Sequence, residues 1–202
     1  TESNLDDIKS TRTEVGLDHI TQQGAFDPGT GADGSITVVS DTIINTGNLI
    51  SGRSCADGGD AVNYSITALT ATTATLSSTP SAGCLAANDE VLVINLEGTA
   101  SATANTGKFE TLRVSSINAN IVTFTKAKVN YYGNNSSDDT NIGTGTDNQR
   151  VMLQRVPNYL NVTVNTSINF APSDWNGTKG GMMFFRASGS VSISGTVSAT
   201  GK

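Results

Sequence analysis

Apolar and polar residues alternate in short runs along most of this chain, and Gly, Asn, Asp and Ser break the runs apart. Alternation with a period of two over a handful of residues marks a strand with one buried face. Candidate strands fall at Ser35–Val39, Thr42–Asn45, Ala61–Leu69, Thr73–Ser78, Glu90–Leu96, Phe109–Ile117, Ile121–Lys126 and Arg150–Val156. Val91-Leu-Val-Ile-Asn-Leu96 departs from alternation, with five apolar residues in six positions. Such a run predicts a strand buried on both faces, central to a small barrel or sandwich. Its flanking acids Asp89 and Glu90 are expected to be solvated at the strand entrance.

The pattern also repeats. Ser65–Ser77 and Arg113–Thr125 align without gaps at an offset of 48 residues, placing Ile66 with Val114, Leu69 with Ile117, Ala74 with Val122 and Leu76 with Phe124. Each copy reads as strand, short turn, strand, so two hairpins are predicted. Asn118-Ala-Asn120 is the clearer turn, with the two Asn expected to supply the left-handed conformation.

From Asn161 onward the apolar runs shorten to three or so residues between Gly and Asn, as in Val191-Ser-Ile-Ser-Gly and Thr196-Val-Ser-Ala-Thr-Gly. Brief strands joined by tight turns predict stacked coils of a β-solenoid. The pattern is still running at Gly201-Lys202, so the chain is expected to be one end of something longer. Residues 1–26 hold the densest charge (Glu2, Asp6, Asp7, Lys9, Arg12, Glu14, Asp18) and follow neither period. They read either as a tail or as an arm that adds a strand to a neighbouring subunit, at an acceptor edge over Val191–Thr200. The fold expected is all-β: an arm over 1–26, a small β-barrel or β-sandwich over 27–157, and the start of a short β-solenoid over 158–202.

Composition sharpens this picture. The 202 residues include 28 Thr, 22 Ser, 19 Asn and 21 Gly, with only 15% charged, which suits β-structure rich in turns and suits helical bundles poorly. Net charge is −6, and Lys and Arg are scattered singly, so nucleic-acid binding is not expected. No apolar stretch reaches the roughly 20 residues of a membrane-spanning helix. The first residue is Thr1, which reads as a chain whose export signal has been removed.

Four stretches, Asp89-Glu-Val-Leu-Val-Ile-Asn-Leu-Glu-Gly98, Val156-Pro-Asn-Tyr159, Trp175-Asn-Gly-Thr-Lys-Gly-Gly181 and the Met182–Lys202 pattern, carry a resemblance. Residues 35–202 resemble the N-terminal region of large, Gly-rich bacterial cell-surface proteins, in which a β-domain leads into β-solenoid sequence. The resemblance implies export and a surface role, and it brings no catalytic residues with it.

Candidate chemistry is sparse. Cys55 and Cys84 stand in turn-like contexts without a Cys-X-X-Cys motif. They read as a disulfide closing a loop of about 30 residues, or else as two unpaired small hydrophobes. A bridge places the protein in an oxidising compartment. Asp27 with Asp33, and Asp138 with Asp139, offer clustered oxygen ligands of the kind calcium favours, without matching a known calcium loop; no other cofactor is expected. Asp57, Asp60, Asp147 and Asp174 lie in turns and read as solvated acids, not a catalytic pair. His19 is the single histidine, and no nucleophile elbow or phosphate loop occurs, so an enzyme is not expected. Tyr131-Tyr132 before an Asn/Ser/Asp loop reads as a sugar-stacking platform or as a strand end packed on the β-domain. Asn-X-Ser/Thr sequons at Asn63, Asn134, Asn135, Asn161, Asn165 and Asn176 are glycosylation candidates in a secreted protein.

The function expected is that of an extracellular structural protein, a module or self-associating subunit of a surface fibre or adhesin joined by strand pairing. A carbohydrate-binding surface module is the alternative, ahead of a polysaccharide-degrading enzyme or a phage fibre domain.

Overall fold

A computed structural model describes residues 27–202; the arm expected over 1–26 lies outside the described residues. The described chain is all-β, with no helix. Two short strands come first, β1 (Ile36–Val38) and β2 (Thr42–Ile43). Six longer ones follow: β3 (Asn63–Leu69), β4 (Thr73–Leu76), β5 (Glu90–Glu97), β6 (Phe109–Asn118), β7 (Ile121–Phe124) and β8 (Arg150–Arg155). The last six are brief again: β9 (Asn158–Tyr159), β10 (Val162–Val164), β11 (Asn169–Ala171), β12 (Arg186–Ala187), β13 (Val191–Ile193) and β14 (Thr196–Val197).

Strands β3 to β8 close into a six-stranded barrel in the order β3-β4-β7-β6-β5-β8. The internal repeat is its frame. Hairpins β3–β4 and β6–β7 pair edge to edge through β4 and β7, antiparallel, with Ala74 opposite Val122. Both hairpins shift register at equivalent places, between Ile66 and Ala68 and between Val114 and Ser116, so the repeat preserves a bulge as well as a strand pattern. The aligned positions Ile66, Val114, Ala74, Val122, Leu76 and Phe124 are all buried in the barrel core. The tight turn after β6 differs from expectation. Ala119, not either flanking Asn, takes positive φ (52°), and the Asn120 side chain instead donates to the Leu76 carbonyl at 2.8 Å.

Strand β5 is buried on both faces, and the reason lies outside the barrel. Val91 and Val93 join the barrel core, while Leu92 and Ile94 pack with Met152 and Val156 and against Met182 and Phe184 from the later chain. Each buried aliphatic side chain contributes about 1.5 to 3 kcal/mol of transfer free energy, so this outer cluster is a substantial attachment.

The remaining strands form parallel ladders. Strands β1, β10 and β13 align in register, stacking Ile36 on Val162 on Val191 and Val38 on Val164 on Ile193. Strand β11 pairs with β2 on one side and β14 on the other, and β9 pairs with β12. Three passages of chain therefore lie one above another as rungs around a shared apolar cluster that includes Tyr159, Phe170 and Phe185. From the second rung to the third the equivalents lie 27 to 29 residues apart: Phe170 to Val197, Asn158 to Arg186, Val162 to Val191. From the first rung to the second, Ile36 pairs with Val162, because the barrel is inserted between β2 and β9.

This arrangement redraws the expected division at 157/158. Strands β1 and β2, read from sequence as part of a 27–157 β-domain, belong with the ladders. Local pattern gives no sign of a parallel partner more than a hundred residues away. Rungs approach one another closely at Gly195, where a Cβ would collide with the carbonyls of Asn165 and Ile168.

Candidate functional site

The densest polar chemistry lies where the barrel meets the ladders. Arg155, at the end of β8, is buried; its guanidinium takes Asp33 in two contacts of 2.6 and 2.8 Å, Asp89 at 3.2 Å and the Asp60 carbonyl at 3.1 Å. Burial alone would depress the Arg155 pKa, but the carboxylates of Asp89 and Asp33 outweigh it and raise the value. Asp89 is shared with Arg53, whose second nitrogen also reaches the Cys84 carbonyl. One strand over, buried Glu90 holds Arg186 of β12 through contacts of 2.7 to 2.9 Å and accepts from Asn158 of β9 at 3.1 Å. Asp89 and Glu90 are therefore not the solvated acids expected from sequence. Each is tied to arginines, and Glu90 reaches from the barrel to the ladders.

Asp60 belongs to the same junction. It accepts from the Tyr159 hydroxyl at 2.8 Å and from the backbone N–H groups of Leu49 and Ile50. Burial raises its pKa; the hydrogen bonds from Tyr159 and Ile50 offset this only in part. Since the folded state holds this proton more tightly than the unfolded state, stability falls as pH rises from the ordinary carboxylate value near 3.8 through the raised folded value. Asp60→Asn removes that component, so the difference in unfolding free energy between variant and wild type should change across this window and level off above it. Urea unfolding at a series of pH values reads this; a difference independent of pH contradicts it.

The residues singled out from sequence fall in several places. Cys55 and Cys84 form a disulfide inside the barrel core. Of the calcium candidates, Asp33 is engaged by Arg155 and by the Asn158 N–H, and exposed Asp27 caps Gly29. Asp139 pairs with Lys128 at 2.5 Å and accepts from the Tyr132 N–H, while Asp138 accepts from Asn135 and Thr140. Among the described residues no group of three or more acidic, His or Cys side chains converges as a metal site would require. Asp57 is held by Tyr64 and Ser81, and Asp174 faces Lys202 at 2.7 Å; the two acids line one cleft together with Asn45, Asn63, Asn176 and Lys179.

The tyrosine pair separates. Tyr132 is fully buried, its hydroxyl donating to Glu110 at 2.9 Å, whereas Tyr131 is 43% exposed with the Lys128 ammonium 4.6 Å from its ring centre. A two-ring sugar platform is therefore not formed. Neighbouring residues on an extended segment point to opposite sides, which the dipeptide alone does not convey.

The sequons also separate. Asn63 lies in β3 and is 6% exposed, so no glycan fits on it in the folded barrel. Asn161 is engaged in the ladder, donating to Ser35 and accepting from the Ser190 N–H and hydroxyl, which links all three rungs. Asn134 accepts from Asn141 and Gln149; Asn135, Asn165 and Asn176 are exposed. Protein from a glycosylating host should carry sugar at Asn165 or Asn176 and none at Asn63; a glycopeptide containing modified Asn63, found by mass spectrometry, contradicts the fold of β3.

The third rung is the other notable surface. Strands β13 and β14 each end a sheet, and Val191, Ile193 and Val197 are 47%, 49% and 37% exposed there.

Comparison with known proteins gives no match to any protein-family model and none to a curated protein. Three solved structures align with the chain. The tailspike gp61 of Pseudomonas phage phi297 is 21% identical with a TM-score of 0.29, over 82% of this chain and 24% of that one. The tailspike gp49 of Pseudomonas phage LKA1 is 15% identical with a TM-score of 0.30, over 83% and 27%. The Gp54 tailspike of Acinetobacter baumannii bacteriophage AP22, solved with a capsular saccharide, is 11% identical with a TM-score of 0.29, over 98% and 36%. The chain thus spans about a quarter to a third of the length of these tailspikes, and likeness at this level carries no conclusion about what it does.

Proposed function

We propose that the chain is a structural module of an extracellular fibre or adhesin, in which the three rungs are the first coils of a β-solenoid shaft and the barrel is a domain set beside it. The observation that carries this reading is the in-register stacking of like residues, Ile36–Val162–Val191 and Val38–Val164–Ile193, across successive rungs. Repeated columns of this kind hold a shaft together through main-chain hydrogen bonds and apolar contact, with no part for a reactive side chain. The disulfide supports an oxidising location. The engagement of the junction acids by arginines supports a structural role, since it leaves them to join barrel and shaft.

Immunogold electron microscopy of cells that make the protein tests the proposal. Label should lie along extended structures outside the cell envelope. Label confined to the cytosol overturns it.

A further inference from the structure

The cleft that holds Asp57 and Asp174 lies where three separate passages of chain meet. The entry to the barrel contributes Asp57 and Asn63, the first rung Asn45, and the connection between β11 and β12 Asp174 and Lys179. Alternation fixes one wall. Tyr64 and Ile66 of β3 enter the barrel core, so Asn63 and Ser65 stand on its outer face. Ser65 Oγ donates to the Thr178 carbonyl at 3.4 Å and Lys179 Nζ to the Asn63 carbonyl at 2.6 Å, which lays the β11–β12 connection along that face. Asn45 braces the remaining side: its Oδ1 accepts from the Ser173 N–H at 2.8 Å, and its Nδ2 donates to Gln154 Oε1 at 3.1 Å. The space enclosed is about 160 Å³.

Hydrogen-bonding capacity is left over on two sides of this space. Asn63 is 6% exposed, and its Nδ2 has no partner among the described residues; the Nε2 of its cross-strand neighbour Gln154 is in the same state. Buried donors without an acceptor are rare in folded proteins and call for a ligand or a water. The Lys179 ammonium has three protons to give, and the Asn63 carbonyl takes one. Against these donors stand two carboxylates, and Asp174 spends only Oδ1, on Lys202.

Such a mixture disfavours ions. An anion drawn to Lys179 meets Asp57 and Asp174, and a cation drawn to the carboxylates meets Lys179. A hydroxyl group both accepts and donates, so it can take a proton from Asn63 or Lys179 while giving its own to an aspartate. Drug-sized ligands need roughly 300 Å³ or more, so this space suits a single ring.

We propose that the cleft binds one sugar ring, whose hydroxyls accept from Asn63 Nδ2 and Lys179 Nζ and donate to Asp57 and Asp174. The site stands independently of the shaft reading, because the cleft is complete within one copy of the chain.

Two-dimensional NMR of isotope-labelled protein, made without N-glycosylation because Asn176 is a sequon, tests this. The probes are the methyl glycosides of glucose, galactose, mannose and N-acetylglucosamine. One ring should bind with a Kd on the order of 1 mM. At least one glycoside should shift the side-chain amide signals of Asn63 and Gln154 saturably, whereas sodium acetate and methylammonium chloride should not. Lys179→Met and Asn63→Ala should each weaken that binding about tenfold or more, with barrel-core amide signals in place. Lys126→Met, at an exposed position outside the cleft, should bind as wild type does. Signals unmoved by all four glycosides up to about 100 mM overturn the proposal and leave water as the partner of these donors. Saturable shifts with acetate alone overturn it in favour of an anion. Sugar binding undiminished in both cleft variants places the ring elsewhere and overturns it too.

Discussion

Replacing Arg155 by Ala should destabilise the protein by about 3 to 5 kcal/mol, the range expected when one member of a buried ion pair is removed. The size follows from what remains. Asp33 and Asp89 would keep their positions in a poorly solvated junction without the guanidinium that joins them, and the Asp60 carbonyl would lose its donor. Arg155→Lys should recover only part of the loss, since an ammonium cannot make the two-point contact with Asp33 and still reach Asp89. Urea unfolding near neutral pH provides the measurement. The variant should also speed amide exchange first where the barrel meets the ladders, at residues 27–34 and β9, before it does so in β4 and β7. A loss below about 1 kcal/mol would mean that the network is worth no more than a surface ion pair.

Removing the disulfide should have the next largest effect. Cys55 lies in the segment entering the barrel and Cys84 in the connection between β4 and β5, 29 residues further along. Chain-entropy arguments put a loop of this length at about 3 to 4 kcal/mol. For a chain of this size that corresponds to a melting temperature lower by roughly 10 °C. Cys55→Ala with Cys84→Ala tests this without leaving a free thiol. The double variant and wild type melted in reductant should agree to within a few degrees. A double variant that melts with the oxidised protein shows that the surrounding core, including Val62, Leu76 and Leu85, fixes the loop without help.

These two effects differ in how far the sequence announces them. The cysteines were open to a pairing argument because only two exist. The strands of the barrel were legible too: alternation located them, and the 48-residue repeat located both hairpins and, through matching apolar positions, their shared core, while closure into a barrel and not a sandwich stayed open. The Arg155 network was not. Arg53, Arg155 and Arg186 are isolated in sequence, and nothing near them signals that Asp33, Asp89 and Glu90 will meet them across the junction. Long-range pairing hid β1 and β2 for the same reason, since a short strand carries too little pattern to name a partner across an inserted domain. Tyr132 shows the limit at the scale of one residue. Its neighbour Tyr131 has the same chemistry, and only the path of the backbone decides which ring enters the core.

The insertion point has a consequence of its own. The chain enters the barrel on β3 and leaves it on β8, and these strands run antiparallel side by side, with Asn63 opposite Gln154. Departure and return are thus neighbours, and the rungs on either side keep their alignment whatever is carried between them. Any domain whose two termini lie close together meets the same geometric requirement. A scaffold of this type can exchange its side domain by recombination and retain its axis, provided the newcomer supplies an apolar face for Met182 and Phe184 and an acid for Arg186.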